Sequence, residues 1–592
     1  MTLQDTLQNG TKPGLNLDRL GLGLLAAVLI AAPLLLSNAY QLNVLVLMVV
    51  NAVLAIGLAI VIRAGRLSLA QASFGGIGGY TTGFLTTTQG LSFWLALPVG
   101  AALAAAIGVL LGLVSLRLRG FYFAIATFTF SQLAIVILRA WTPVTGGMSG
   151  MFGLPHPPGF LGLDFSDPRQ YYYLVLAVLA LVTLLYHACA QSTVFGRGLT
   201  VLGQDEVLAT TLGVPATRYR LAAFAISSAV GGIGGSFSAH FIQGVSPSDI
   251  APIVSVFIVV MVLAGGTRTI AGPIVGAMIL TLVPELLRVS AQWSMVFYGC
   301  FLLLYVYLFR DGLLPILKSA VSRITGQTAQ ASATPRVARL MAETQAAPDK
   351  SPAHELLRPI ISLSDVSCRF GALTVLQGLN WSIQNGCING LIGPNGAGKT
   401  TFFNALTGVV PVAEGTVLWH GTPVTATPDQ MVRRGLARTF QHARVFEDHS
   451  VADSVLLAAE LSRRPVSGAH LRWLLDMLEL GPVALRRGRE LTHFQRRLTS
   501  IAMAMASNPE LLLLDEPLAG LDDTETRRLS AIIARLQRET GNTVLLIEHK
   551  LSEVMELCSA LTVLDHGQII AQGTPAQISK DPVVLEAYLG HD

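Results

Sequence analysis

The sequence predicts a polytopic all-α membrane domain of about ten transmembrane helices, followed by an α/β domain built around a phosphate-binding loop. Three observations predict it. Residues 1–323 hold 16 Lys and Arg against 9 Asp and Glu, about 8% charged, whereas residues 324–592 hold 24 against 27, about 19% charged. Apolar stretches of membrane-spanning length follow one another through the first part. A glycine-rich segment closing on Lys399-Thr400 stands in the second.

The first apolar stretch, from Leu20, follows an ordinary polar lead, lacks a clear small-residue cleavage site and is as long as a span. It reads as a first transmembrane helix rather than a cleaved signal. About 20 apolar residues cover the hydrocarbon core, which gives candidate spans at 20–38, 42–62, 70–88, 92–115, 121–140, 171–188, 221–240, 251–266, 271–288 and 293–309. The short polar breaks at Gly65–Ala70 and Gly265–Ala271 leave the count open by two. With the N-terminus inside, Lys12, Arg19, Arg63, Arg66, Arg117, Arg119, Arg197, Arg218, Arg220, Arg268, Arg310, Lys318 and Arg323 fall on the cytoplasmic side. Only Arg139, Arg169 and Arg288 fall outside, so the second part is expected in the cytoplasm, where ATP is.

Two glycine runs lie inside spans: Gly75, Gly76, Gly78, Gly79 and Gly231, Gly232, Gly234, Gly235. They suit either a ligand path or close helix packing, and packing is the preferred reading because small residues let backbones approach. Cys189, Cys300, Cys368, Cys387 and Cys558 lack metal-ligand spacing and read as reduced, structural thiols. No basic stripe marks a nucleic-acid surface, so nucleic acid is not an expected partner. The composition gives a membrane domain over 1–318, an Ala/Thr/Gln/Pro-rich linker over 319–358 and a soluble domain over 359–592. In that last domain Ile361–Val366, Cys387–Ile392 and Leu511–Asp515 read as strands, with helices after Lys399 and Asp522.

The segment Gly393-Pro394-Asn395-Gly396-Ala397-Gly398-Lys399-Thr400-Thr401 follows an apolar strand and opens a helix, the context a phosphate-binding loop requires. Its glycines let backbone N–H groups curl around phosphates, and the helix N-terminus adds a favourable dipole. Lys399 is expected to reach the β- and γ-phosphates of ATP, and the Thr400 hydroxyl to ligate Mg²⁺. Further on, Leu511–Leu514 form a buried strand that delivers Asp515 as a second Mg²⁺ ligand. Glu516 is next, where a base polarises the attacking water.

With these motifs the second part resembles an ABC ATPase from Ile361 to nearly the last residue. The resemblance implies that Phe370 stacks on adenine and that Gln441, in Arg438-Thr439-Phe440-Gln441, contacts Mg²⁺ and water and touches a permease. It implies that Leu518–Asp522 is the D-loop and that His549 contacts the γ-phosphate. One segment departs from the pattern. Where the family has Leu-Ser-Gly-Gly-Gln or Leu-Ser-Tyr-Gly-Gln, this chain has Leu491-Thr492-His493-Phe494-Gln495. Phe494 replaces a glycine whose bare backbone faces a partner's nucleotide, so its ring is expected to crowd the phosphates there. The sharp reading is that only one composite site hydrolyses well. The bland reading is a tolerated substitution.

The first part is similar to the LivM-type permease of branched-chain amino-acid importers. The residues that carry this are 65–75, 116–126, Gly265-Gly266 with Gly272-Pro273, and Pro284-Glu285. The second part looks LivG-like in Ala437–Gln441, Ile547–His549 and Ala587–Gly590. Within 195–214, Glu206, Ala209 and Gly213 resemble the coupling helix that sits beside the Q-loop. An amphipathic segment between spans must cover its apolar side against some soluble surface, unless it is a solvated loop. The outer loop 145–170 serves either as a seat for a binding protein or as a plain connection.

Together the resemblances imply a permease and an ATPase in one chain, driving import by alternating access across a bacterial cytoplasmic (inner) membrane. The implied partners are a LivH-like permease, a LivF-like ATPase, a periplasmic or extracellular solute-binding protein and the lipid bilayer. Branched-chain amino acids are the implied substrate; urea, amides and other small organic acids are the alternatives. An exporter or a non-transporting regulator fits less well.

Overall fold

The computed structural model describes residues 17–36, 38–118, 120–159, 162–189, 193–267, 269–287, 359–462 and 466–589, with isolated positions between 299 and 340. Most of the tenth candidate span (293–309) and of the linker (319–358) lies outside the described residues, as do Lys12, Arg119, Arg268, Arg288, Cys300, Arg310, Lys318 and Arg323.

The first region is helical. Its elements are α1 (Leu17–Leu35), α2 (Ala39–Arg63), α3 (Gln71–Thr87), α4 (Phe93–Ser115), α5 (Phe121–Ala140), α6 (Pro168–His187), α7 (Val194–Gln204), α8 (Glu206–Thr211), α9 (Ala216–Ile242), α10 (Pro252–Gly265) and α11 (Gly272–Leu287). Local chemistry starts them where it should. The Asn38 side chain accepts the Tyr40 N–H ahead of α2, and Asp167 accepts the Arg169 N–H ahead of α6, with Pro168 in the first turn. The helices α2, α4, α5, α6 and α9 are long and apolar enough to cross a membrane. Nine candidate spans fall on described helices, and α10, bounded on both sides by described residues, runs only 14 residues. At 1.5 Å per residue that is about 21 Å, short of a hydrocarbon core of about 30 Å. Outside the helices, β1 (Met151–Phe152) and β2 (Gly244–Val245) pair antiparallel.

Helix α9 sits against α2, α3 and α4. The two glycine runs meet there. A Cβ on Gly78 would fall inside the Gly232 carbonyl, and one on Gly235 inside the Gly75 carbonyl. Backbone therefore lies on backbone, and the packing reading of the runs holds at this crossing. Nearby, the buried Gln71 amide donates to the carbonyls of Leu54 (3.2 Å) and Ser227 (3.4 Å), which ties α3 to α2 and α9. Phe224 of α9 meets Phe74 and Phe123 edge-on at 5.6 and 5.7 Å, filling the space beside the crossing. At one end of the bundle Arg63 donates to the Tyr186 hydroxyl (2.8 Å), while Arg220 donates to the Ala64 carbonyl. Both arginines were expected on the same membrane face.

The second region carries two sheets. β3 (Ile361–Phe370), β4 (Leu373–Ile383), β6 (Glu414–Trp419) and β7 (Thr422–Pro423) form an antiparallel sheet in the order β4-β3-β6-β7. β5 (Ile388–Ile392), β8 (Leu436–Arg438), β9 (Leu511–Asp515), β10 (Thr543–Ile547), β11 (Ala560–Asp565) and β12 (Gln568–Gly573) form the other, in the order β12-β11-β5-β10-β9-β8. Within it β12 alone runs antiparallel. Every residue of β5, β9 and β10 is buried, as expected of parallel strands covered on both faces. One apolar core, with Trp381, Phe402, Phe403, Trp419, Leu513 and Leu545, joins both sheets. Around it stand α12 (Lys399–Leu406), α13 (Pro428–Arg434), α14 (Val451–Ser462), α15 (Gly468–Met477), α16 (His493–Met505), α17 (Asp523–Thr540) and α18 (Leu551–Leu557).

By compactness, residues 205–215 belong with the second region, although helices of the first flank them in the chain.

The crossing of α3 and α9 predicts a steep cost for any side chain at Gly235. Gly235→Leu overpacks backbone against backbone by about 3 kcal/mol or more. It should lower the thermal unfolding midpoint in detergent by roughly 5 °C or more. Gly23→Leu on α1, where a Cβ meets nothing within 4 Å, should leave the midpoint within about 1 °C. Equal effects at the two positions would contradict the crossing.

Candidate functional site

Parallel strands place the site. In the register Ile547 of β10 stands opposite both Leu391 of β5 and Asp515 of β9. The C-terminal ends of the three strands therefore lie side by side, the usual position for a ligand in an open α/β sheet. The residues just past each strand supply the chemistry: the loop 393–398 after β5, Glu516 after β9, and Glu548 with His549 after β10.

The loop after β5 closes on Gly398, at φ +100°, which starts α12 with no side-chain cap. Gly393 admits no side chain, because a Cβ there would meet the Leu564 carbonyl. Lys399 is buried, and its ammonium donates to the Gly393 carbonyl (2.7 Å) and the Pro394 carbonyl (2.8 Å). The ammonium thus lies within the curl of its own loop. Burial pulls its pKa below the usual lysine value, and the nearby Glu516 carboxylate opposes that shift. Thr400 is exposed and Thr401 half-buried. Asn395 and Gly396 are exposed at the tip of the loop, and Ala397 is buried beneath it.

Asp515 ends β9 and pairs with Arg438 at the end of β8, Nη2 to Oδ2 at 2.9 Å, with both side chains almost fully buried. Arg438 also donates to Asn404 Oδ1 (2.6 Å) and lies between the Phe403 and Phe440 rings. Burial raises the Asp515 pKa, and the guanidinium holds it back. Glu516 stands at φ +46°, a left-handed backbone that costs a non-glycine residue about 1–3 kcal/mol. That turn aims its carboxylate outward: Oε1 meets His549 Nε2 at 2.8 Å and Oε2 accepts Gln441 Nε2 at 2.7 Å. Three residues singled out separately in the sequence, Gln441, Glu516 and His549, thus share one hydrogen-bonded group.

The side chains that the sequence names for Mg²⁺ are the Thr400 hydroxyl, the Asp515 carboxylate and the Gln441 amide oxygen. This is a hard-oxygen set that suits Mg²⁺ held jointly with phosphates. Among the described residues there is no cluster of three His, Cys, Asp or Glu for a metal held by protein alone.

Phe370 is 50% exposed at the end of β3, opposite Leu373. Asp522 caps α17, accepting the Glu525 N–H at 2.8 Å. In the 491–495 segment Leu491 is buried, Thr492 and Gln495 spend their side chains on a capping box that starts α16, and His493 is exposed. Phe494 is only 8% exposed, with the Arg528 guanidinium 5.6 Å from its ring centroid. In the first turn of α16 this side chain is packed within its own chain rather than projecting into solvent.

The segment 205–215 docks by charge and by shape. The Asp205 side chain caps α8 through the N–H groups of Val207 and Leu208, and its other oxygen meets Arg444 Nη1 at 2.6 Å. Arg444 lies three residues beyond Gln441. Leu208, Ala209, Leu212 and Val214 are buried, so the apolar side of the segment is covered. Gly213, at φ +96°, comes close to the Leu461 carbonyl, and Arg433 donates to its carbonyl oxygen at 3.5 Å. Glu206 is half-buried in the first turn of α8.

Sequence reading missed Arg438, Arg497, Glu548 and Asp205. The signal for Asp205 was legible, since an Asp directly before an apolar helical turn is an N-cap pattern. The other three are buried charges that each meet a partner distant in the chain, and no local spacing reveals those contacts.

Comparison with known proteins agrees with this geometry. Residues 40–306 match the permease component of branched-chain amino acid transport systems, and residues 376–519 match the ABC transporter domain. Residues 568–592 match a family described as branched-chain amino acid ATP-binding cassette transporter. The high-affinity branched-chain amino acid transport ATP-binding protein BraF of Pseudomonas aeruginosa is 37% identical over 252 residues, 39% of this chain and 98% of its own. LivG of Escherichia coli, described in the same words, gives the same figures. The high-affinity branched-chain amino acid transport system permease protein LivM of Escherichia coli is 32% identical over 324 residues, 51% of this chain and 76% of its own.

The buried Arg438–Asp515 pair yields a prediction about stability. Arg438→Met leaves a buried carboxylate without its cation and should cost about 3–5 kcal/mol, read by chemical unfolding of the full chain. Arg535→Ala breaks an exposed ion pair with Glu539 and should cost less than about 1 kcal/mol. A similar small cost at both positions would show that the Arg438 pair is not the anchor of β8 on β9.

Proposed function

Because the chain belongs to the branched-chain amino-acid ABC transporter family, we propose that it imports branched-chain amino acids across the bacterial cytoplasmic (inner) membrane. Membrane helices and an ATPase domain stand in one chain, and ATP hydrolysis is coupled to transport. In the proposed assembly this chain supplies one permease and one ATPase, and the linker 319–358 joins them. A LivH-like permease, a LivF-like ATPase and an extracytoplasmic solute-binding protein complete it.

The single observation that carries the proposal is the group formed by Glu516, His549 and Gln441 at the strand ends beside Lys399. ATP lies with its phosphates in the loop 393–398, held by backbone N–H groups and by Lys399, with adenine against Phe370. Mg²⁺, when bound, neutralises phosphate charge, and Thr400, Asp515 and Gln441 are the residues that hold it. Glu516 orients the attacking water and takes up its proton as oxygen bonds to the γ-phosphorus. The bond from that phosphorus to the β-γ bridging oxygen breaks, leaving ADP and inorganic phosphate. His549, hydrogen-bonded to Glu516, faces the γ-phosphate. Leu491–Gln495 and the loop 518–522 are presented to the nucleotide of the partner ATPase.

Segment 205–215 is the proposed coupling element. Asp205 holds Arg444, three residues past Gln441, so a shift of Gln441 on nucleotide binding is carried to a segment that lies in the chain between the membrane helices α6 and α9.

The test is uptake of labelled leucine into proteoliposomes holding the complete assembly, with unlabelled urea and amides as competitors. Lys399→Ala should abolish ATP-driven uptake and weaken nucleotide binding. Glu516→Gln should leave nucleotide binding intact and lower hydrolysis about 100-fold. Uptake that persists in Lys399→Ala would defeat the reading. Competition by urea rather than by isoleucine and valine would move the substrate to the amide class and leave the mechanism in place.

A further inference from the structure

Two residues beyond the 491–495 segment, α16 carries Arg497, only 3% exposed. Its Nη1 donates to the Gln441 carbonyl at 2.6 Å and to the Phe440 carbonyl at 3.3 Å, and its Nη2 donates to the Ala519 carbonyl at 3.0 Å. These carbonyls belong to two loops about 80 residues apart in the chain. One is the loop of Gln441; the other is the loop 518–522 beyond Glu516.

The second loop is held by a further buried group. Glu548, 2% exposed, accepts the Leu518 N–H through Oε1 and the His549 N–H through Oε2. The Glu548 carboxylate also favours the charged form of Arg497. Leu518-Ala519 is thus held by a cation on α16 and by an anion next to His549.

A buried guanidinium is costly to desolvate, and an apolar side chain of similar volume is often as stable or more so. An apolar side chain cannot, however, act as a rigid fork that fixes two loops at a set distance. The hydrogen bonds of Arg497 to these loops all end on backbone carbonyls, which makes it a mechanical link rather than a reacting group.

We propose that Arg497 is a positioning residue that joins the Gln441 loop, the 491–495 segment and the 518–522 loop into one moving body. A shift of Gln441, produced on the permease side through Arg444 and Asp205, then changes how this chain presents α16 and 518–522 to the partner ATPase. This rests on the reading of those segments given under the proposed function.

The first measurement is hydrogen exchange on the wild-type assembly, with and without a non-hydrolysable ATP analogue. Peptides covering 438–443 and 517–522 should change protection together. The second uses Arg497→Lys, which keeps the charge but reaches only one of the two loops, and Arg497→Met. In both, the two responses should separate, kcat for ATP should fall about tenfold with KM for ATP unchanged, and substrate moved per ATP should drop. Arg535→Ala serves as the control and should match wild type in every readout.

Wild-type kcat and wild-type substrate per ATP in both Arg497 variants would overturn the proposal. If neither variant assembles, the wild-type exchange decides: joint responses support the link, and independent ones overturn it. A wild-type assembly without ATP-driven uptake would instead defeat the functional reading on which the link depends.

Discussion

The side-by-side ending of β5, β10 and β9 is the constraint on which the rest of the structure depends. Parallel strands in register bring three chain segments to one line, although 124 to 156 residues separate Leu391 of the first from its counterparts in the others. Packing on both faces makes that register stiff, because a shift of one residue would swap each strand's side chains between two differently packed faces and lose the fit on both. A loop that curls around phosphates, a carboxylate that turns outward and a histidine that meets it can then be set to within hydrogen-bond distance. The left-handed backbone at Glu516 is the local strain this placement needs, and the sheet on either side sustains it.

Charge buried behind that line is the second theme. Arg438, Asp515, Arg497 and Glu548 are all nearly solvent-free, and each is matched by an opposite charge or by backbone groups. Unmatched, any one of them would cost several kcal/mol. Matched, they tie β8 to β9, α16 to two loops, and the residue before His549 to the loop after Glu516. The burial that pulls down the Lys399 pKa and pushes up those of Asp515 and Glu548 comes from the same packing.

The membrane region solves a different problem with the same economy of space. Between helices in lipid there is little hydrophobic gain, so close backbone approach has to supply the contact. The runs Gly75–Gly79 and Gly231–Gly235 do this where α3 crosses α9, and Gly265 and Gly272 do it where α10 turns back into α11. The bulk lost at the glycines is restored beside the crossing by Phe74, Phe123 and Phe224.

The sequence by itself determined what contiguous residues encode. The phosphate loop, the Asp515-Glu516 pair at a strand end, the positions of nine apolar helices and the stretch around Ala209 all depend on local spacing and hydrophobic period, which can be read without a fold. Tertiary structure alone decided that the two glycine runs face each other and that Phe494 turns inward under Arg528. It also decided that Asp205 reaches Arg444 across 239 positions of chain, and that Arg497 spans two loops. The physical reason is the same in each case. These are contacts between segments whose proximity comes from strand register and helix crossing, and the energy that selects them belongs to the packed pair rather than to either stretch of sequence.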